Sequence, residues 1–328
     1  MCSFKEDELI PMIPDEEPEA VVASLGYIED YNHNLTNVPT MWKHAKGKGV
    51  KVAVLDTGMP QHKDIPVTGS QTFIPGYLKD TNGHSTGVGA LIGGRYPKGT
   101  FGITGVAPEC ELYFGAVLNA SGAGSLTAIA KGIRWAVDEV GANVINMSLG
   151  TPHLYGCDPR VREACQYAYD KGVTLVAAAG NDASDVNWPA AIDTVIAVAA
   201  VDRNLKTASF SAHGPEVEFA AGGVDVMTAY KGGGYATVSG TSFSAPIISG
   251  IVALILSEHL SRGKLLNPEQ VRQHLKDIAY DIGEEGKDNE TGWGIPVFTK
   301  DTENAMGKPG TPKLGSWLSR LLKSLKWW

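Results

Sequence analysis

Apolar positions along this chain fall in short unbroken runs separated by longer amphipathic stretches. Residues 50–55 (Val-Lys-Val-Ala-Val-Leu) form such a run, closed by Asp56-Thr57-Gly58, and residues 112–118, 144–147, 174–179 and 195–201 repeat the pattern. Runs of this length, rich in Val, Ile and Ala, predict strands buried on both faces. Between them, residues 125–140 turn Ile129, Ile133, Trp135 and Val137 inward, which predicts a helix, and residues 159–171 predict another. Strand and helix in alternation imply an α/β fold: a doubly wound, mostly parallel sheet with helices on both faces, in a single domain. Ligands of such sheets sit beyond the carboxyl ends of the strands, and Asp56, Ser148 and Asn181 all fall just after a strand.

The most apolar stretch is residues 239–256, Ser-Gly-Thr-Ser-Phe-Ser-Ala-Pro followed by Ile-Ile-Ser-Gly-Ile-Val-Ala-Leu-Ile-Leu. A helix apolar on every side belongs inside a domain. Small and hydroxyl residues occupy its start, where unpaired N–H groups and the positive dipole end favour a developing negative charge beside Ser242. By itself the stretch fits a capped buried helix equally well.

Composition narrows the field. With 328 residues, 43% of them hydrophobic, the chain can bury one large core or two small ones. No apolar run reaches the length of a spanning helix, and residues 1–8 are acidic where a secretory signal is basic and then apolar. Cys2, Cys110, Cys157 and Cys165 show no close pairing, so reduced thiols and a cytoplasmic location are expected. A net charge of -8 argues against nucleic acid as a general partner. Charge also sets off two appendages around a folded domain at residues 38–301. Residues 1–37 open with seven acids against Lys5 alone by Ala20, with Pro11, Pro14 and Pro18 breaking any helix, and should be extended unless something holds them. Residues 302–328 are a Gly/Pro linker and a basic tail whose Trp317, Leu318, Leu321, Leu322, Leu325 and Trp328 share one helical face, opposite Arg320, Lys323 and Lys326. Such a face suits an anionic membrane surface, a partner, or the acidic domain itself.

Hydrolysing a peptide through a serine needs a base for the hydroxyl proton, a carboxylate to orient that base, and donors for the tetrahedral oxyanion. Asp56 follows the first strand, His84 lies in Asn-Gly-His-Ser-Thr-Gly-Val, Asn181 closes Ala-Ala-Ala-Gly-Asn, and Ser242 heads the buried helix. Taken singly, each has an ordinary structural reading as turn residue, interior histidine or cap. In the chain order Asp, His, Ser, together with Asn146-Met-Ser-Leu-Gly150 and Gly240-Thr-Ser-Phe-Ser-Ala-Pro246, the set resembles the subtilisin-like serine proteases over most of residues 40–299. The resemblance implies that Asp56 orients His84, that His84 is general base and then acid, that Ser242 is the nucleophile, and that the Asn181 amide and the Ser242 N–H stabilise the oxyanion. No cofactor is implied for the chemistry. Members usually carry glycine after the histidine and a second histidine two residues further on, where this chain has Ser85 and Gly87.

The same resemblance assigns the substrate groove. Gly122, Ala123 and Gly124 on one side, and Ser148, Leu149 and Gly150 on the other, are the edges that would hold an extended peptide by main-chain pairing, which tolerates many sequences. Ala178, Ala179 and Gly180 would wall the pocket for the residue before the scissile bond, and Asn187 near its floor should make it shorter and more polar. The Trp188-Pro189 bond is expected to be cis. Asp64 matches a calcium-binding carboxylate of many members, but Gly99 stands where a second side-chain oxygen is expected, so structural calcium would depend on carbonyl ligands.

Leu9-Ile10-Pro11-Met12 resembles the short motif of the intracellular subtilisins, which carry it in place of a folded exported prodomain. That implies an inhibitory segment and an inactive precursor, and such relatives often form homodimers. Two other readings stay open: a dedicated processing protease or membrane-surface effector with the tail as its address, and an inactive subtilase fold serving as a binding module.

Overall fold

The computed structural model of the protein describes residues 8–12, 19–21, 27–28, 30–95 and 101–299. The basic tail, the linker before it, the acidic residues 1–7 and the loop containing Gly99 lie outside the described residues.

Seven strands form the central sheet: β1 (Lys51–Asp56), β2 (Val67–Thr72), β3 (Glu111–Ala116), β4 (Val144–Met147), β5 (Thr174–Ala178), β6 (Val195–Val201) and β7 (Val217–Gly222). Their spatial order is β7-β6-β5-β4-β1-β3-β2, and every neighbouring pair is parallel. The expected doubly wound α/β sheet is therefore present. Five longer helices accompany it: α1 (His84–Gly93), α2 (Leu126–Trp135), α3 (Pro159–Asp170), α4 (Thr241–Ser261) and α5 (Pro268–Asp277).

Because side chains alternate along a strand, β1 feeds two cores. Val52 and Val54 join Val88, Leu91 and Ile92 of α1 and Ile248 and Ile251 of α4 on one face. Ala53 and Leu55 join Ile129 and Ile133 of α2 and Val161 and Ala164 of α3 on the other. Contrary to the sequence reading, one segment, helix α4, is long and apolar enough to cross a membrane, because it continues through Ser261; it is the core helix of this domain and is buried almost throughout. It runs past Leu256 because polar residues of its last turns are also packed: the Ser257 hydroxyl donates to Lys48 O at 2.9 Å, and buried Glu258 pairs with Arg262.

Three boundaries differ from the sequence reading. Helix α2 stops at Trp135 and passes into a π-helical turn, Ala136–Val140, that leaves Val137 only partly buried. The packed domain starts before residue 38: a short helix, Tyr31–Thr36, is tied to β7 by Asn32, whose amide donates to Gly222 O (3.2 Å) and accepts from Gly222 N–H (2.9 Å). The leader is also held by backbone pairing. Residues Glu19–Val21 add a strand to the antiparallel hairpin of β8 (Val226–Tyr230) and β9 (Gly234–Val238), and Tyr27–Ile28 pairs with Gly102–Ile103. Pairings of two or three residues carry no readable hydrophobic period, so these escape a sequence reading.

Candidate active site

Asp56 ends β1, Ser148 follows β4 and Asn181 follows β5, so the parallel sheet delivers all three to its carboxyl edge. Helix α1 brings His84 to the same edge as its first residue. His84 Nδ1 lies 2.9 and 3.0 Å from the two carboxylate oxygens of fully buried Asp56. This contact fixes the proton on Nδ1 and leaves Nε2 as the basic nitrogen. His84 Nε2 is buried and has no hydrogen-bond partner among the described residues. Burial pushes the imidazole's proton affinity down, but the charge and hydrogen bond of Asp56, with the charge of Asp80, outweigh it and hold the pKa above the ordinary histidine value.

Sequence reasoning passed over Asp80. Its buried carboxylate accepts N–H bonds from Asn82 (3.1 Å), Gly83 (2.8 Å) and Thr86 (2.8 Å) and hydroxyl bonds from Thr57 (2.9 Å) and Thr86 (2.5 Å). A carboxylate at this place satisfies the orphan N–H groups of the α1 start and complements its dipole, which positions His84. Its only sequence signal was the Asp-Thr-Asn-Gly turn just before the histidine. Ser85 and Gly87 fit this packing. The Ser85 hydroxyl donates to Gly58 O at 2.6 Å, and a Cβ on Gly87 would stand 3.1 Å from the Thr228 methyl and 3.2 Å from Phe243.

Ser242 is the second residue of α4, where its N–H has no intrahelical acceptor. Its hydroxyl donates to Ser148 O at 3.3 Å, so a turn about its side-chain bond is needed before it hands a proton to His84. Pro246 explains how the serine is braced. Proline has no N–H for the carbonyl four residues back, which is Ser242 O, and the Ser148 hydroxyl donates to that carbonyl instead at 2.7 Å. Ser148 Oγ accepts from the Asn146 amide (3.0 Å), and Asn146 Oδ1 accepts from Ser249 (2.9 Å), which closes a buried polar link between sheet and helix.

Asn181 is oriented by Thr241. Asn181 Oδ1 accepts from the Thr241 N–H and the Thr241 hydroxyl, both at 2.8 Å, so the amide nitrogen is the end left to donate. Two donors, the amide nitrogen and the Ser242 N–H, can thus receive an oxyanion formed on a carbonyl attacked by Ser242.

The two segments expected to edge the groove both contact the leader. Ile10 and Pro11 pair antiparallel with Gly124 and Ala123. The Met12 N–H donates to Gly122 O at 3.1 Å, and Met12 O accepts from Gly150 N–H at 3.0 Å, so one residue of the leader bridges both edges. Ile10 and Met12 are buried, Pro11 faces out, and Leu9 is half exposed. The Met12 side chain lines a pocket with Leu126, Ile129, Cys157, Val161 and Trp188, and Leu149 is buried in the same core.

Gly180, expected to wall the pocket for the residue before the scissile bond, takes a positive φ of 125°, and a Cβ there would stand 2.5 Å from the Asn187 amide nitrogen. Asn187 is buried, its N–H donates to Ala179 O at 2.8 Å, and its Oδ1 has no hydrogen-bond partner among the described residues. Ala178 and Ala179 are buried beside it, and Trp188-Pro189 is cis.

Asp64 is fully buried, and its oxygens are already engaged by Lys63, Tyr235 and the Ile103 N–H. No group of three acidic, histidine or cysteine side chains able to hold a metal occurs among the described residues. Calcium takes six to eight oxygens, and the one carboxylate that the described residues offer here is already occupied.

A buried carboxylate-imidazole pair, a serine at a helix N-terminus and two oxyanion donors, in the order Asp, His, Ser, define a serine hydrolase of the subtilisin type. The comparisons agree. The subtilase family pattern, peptidase family S8, matches residues 47–294. M-protease of Shouchella clausii (strain KSM-K16) is 37% identical over 280 residues, covering 84% of this chain and 71% of that protein. Subtilisin DY of Bacillus licheniformis is 41% identical over 247 residues (73% and 86%), and Subtilisin Savinase of Lederbergia lenta 40% over 240 residues (72% and 86%). The chain belongs to the subtilase family and is a subtilisin-like serine endopeptidase.

Proposed function

We propose that this endopeptidase cleaves extended segments of protein substrates through an acyl-enzyme on Ser242, and that its own leader restrains it until the leader is cut. His84, held by Asp56, takes the serine proton and later returns it to the leaving amine. The Asn181 amide and the Ser242 N–H stabilise the oxyanion between these steps. The raised proton affinity of His84 and the names of several relatives, alkaline proteases among them, support activity on the alkaline side of neutrality. The Asn187 amide supports a preference for small or polar residues before the scissile bond, since a bulky apolar side chain would bury a polar oxygen that has no partner. Cys110, Cys157 and Cys165 are free thiols, which supports work inside the cell.

The observation that carries the restraint is the double backbone contact of Met12 with Gly122 and Gly150. A peptide substrate reads the same two edges by strand addition, and a tethered segment competes at high effective concentration. Pro11 brings no N–H to this pairing, so the segment binds without the full main-chain ladder of a substrate. Full-length enzyme should therefore show a lag that shortens with enzyme concentration, because the first cut comes from a second, already active copy. A form beginning at Glu19 should show no lag. Equal initial rates for that form and for full-length protein kept uncut would refute the restraint while leaving the endopeptidase reading intact.

A further inference from the structure

Lys63 and Asp64 sit in the loop between β1 and β2, and their side chains meet residues from two distant segments. The Lys63 ammonium lies 2.7 Å from Asp64 Oδ1, 2.6 Å from Phe101 O and 2.9 Å from the Tyr235 hydroxyl. An ammonium has three donors, and here each has an oxygen. The Tyr235 hydroxyl donates onward to Asp64 Oδ2 at 2.7 Å, and the Ile103 N–H donates to the same oxygen at 3.0 Å. Tyr235 also packs edge-on against Phe101, with ring centroids 4.8 Å apart. The carboxylate is fully buried while the lysine side chain is 48% exposed along its length.

We propose that Lys63 is a built-in cation that takes the place of a bound calcium ion at Asp64. The three oxygens converge on the ammonium at 2.6–2.9 Å, the spacing of charge-assisted hydrogen bonds and longer than the 2.3–2.6 Å of calcium-oxygen bonds. A metal could enter only by driving the ammonium out. Among the described residues it would then find one carboxylate, one carbonyl and one neutral hydroxyl, and a site with so little charge binds calcium weakly. A buried carboxylate without a partner is strongly destabilising, so some cation is needed at this place. A lysine supplies it within the chain. It ties together residues 62–65, residues 101–103 and β9, and it does so whatever the calcium concentration.

The test uses the full-length Ser242→Ala chain, which cannot digest itself, and reads the apparent thermal midpoint in excess EDTA and in millimolar calcium chloride. The parent should melt at the same temperature in both, and Lys63→Met in EDTA should melt roughly 4–10 °C lower. A parent midpoint that climbs with calcium, and stops climbing when Asp64→Asn is added, would overturn the proposal. So would a Lys63→Met chain as stable as its parent in EDTA. The parent's response to calcium needs no substitution at the cluster, so a variant that fails to fold does not block the test.

Discussion

Thr241→Val isolates the orientation of the oxyanion donor from the donor itself. Valine keeps the shape of threonine and the backbone N–H, so Asn181 Oδ1 retains one of its two 2.8 Å bonds and loses the other. A neutral hydrogen bond contributes about 0.5–1.5 kcal/mol net, so if all of it serves to hold the amide in place, kcat should fall about 2- to 12-fold. The ceiling is deletion of the amide, which in subtilisin itself costs roughly 10²–10³ in turnover, a relative's value used here only as a bound. The same hydroxyl accepts the Gly180 N–H at 3.2 Å, so the variant also leaves that group without its partner. Gly180 is only partly buried, and water can replace much of the loss, so the cost is about 1 kcal/mol, or roughly 2–4 °C in the thermal midpoint. The assay is steady-state hydrolysis of a chromogenic peptide, with kcat and KM separated, beside melting of the same substitution in an inactive Ser242→Ala background. Orientation predicts a loss in kcat at nearly constant KM. A melting loss with kcat unchanged would refute the claim that Thr241 aims the amide.

Other expectations follow from the same geometry. Because Asp56 raises the proton affinity of His84, kcat/KM should rise through a pH range above the ordinary histidine value, and Asp56→Asn should move that rise to lower pH while depressing the rate; equal activity at acid and alkaline pH would contradict it. The stability linkage runs the other way: the raised group's contribution is complete below its unfolded pKa and is lost as pH rises through its folded one, so melting of the inactive chain should weaken slightly over the range in which activity grows. Asn187→Gly opens the pocket beside Gly180, and cleavage-site profiling should shift toward large aromatic residues before the scissile bond. Pro11→Ala restores an N–H opposite Ala123 and should shorten the activation lag, measured as the delay before steady casein cleavage.

The sheet was legible because its strands are buried on both faces and read as apolar runs: residues 144–147 and 195–201 match β4 and β7's neighbour β6 residue for residue. Asp56 and Ser242 were legible because each sits at an end of a readable element, one closing a strand and the other heading a helix; His84 opens α1, which the apolar pattern did not show, and was reached through the family resemblance. What holds those residues was not. Asp80 works through N–H groups of a turn, and its meaning appears only once α1 is folded over it. Lys63 and Tyr235 are 172 positions apart and meet only in the folded chain, so a reading of the Asp64 motif raised a possible calcium and could not show the ammonium that lies against the carboxylate. The leader was expected to be extended, but nothing in its composition shows that Glu19–Val21 extends a hairpin from the far end of the chain.

The central claim is that Ser242 is a nucleophile activated by the Asp56-His84 pair. A radiolabelled phosphonofluoridate or sulfonyl fluoride, followed by digestion and mass spectrometry, tests it without any assumption about substrate. With a form beginning at Glu19, the label should appear on the peptide containing Ser242, at a rate that rises with pH as His84 loses its proton, and Ser242→Ala should take up none. Label on another residue, or equal labelling after His84→Ala, would contradict it.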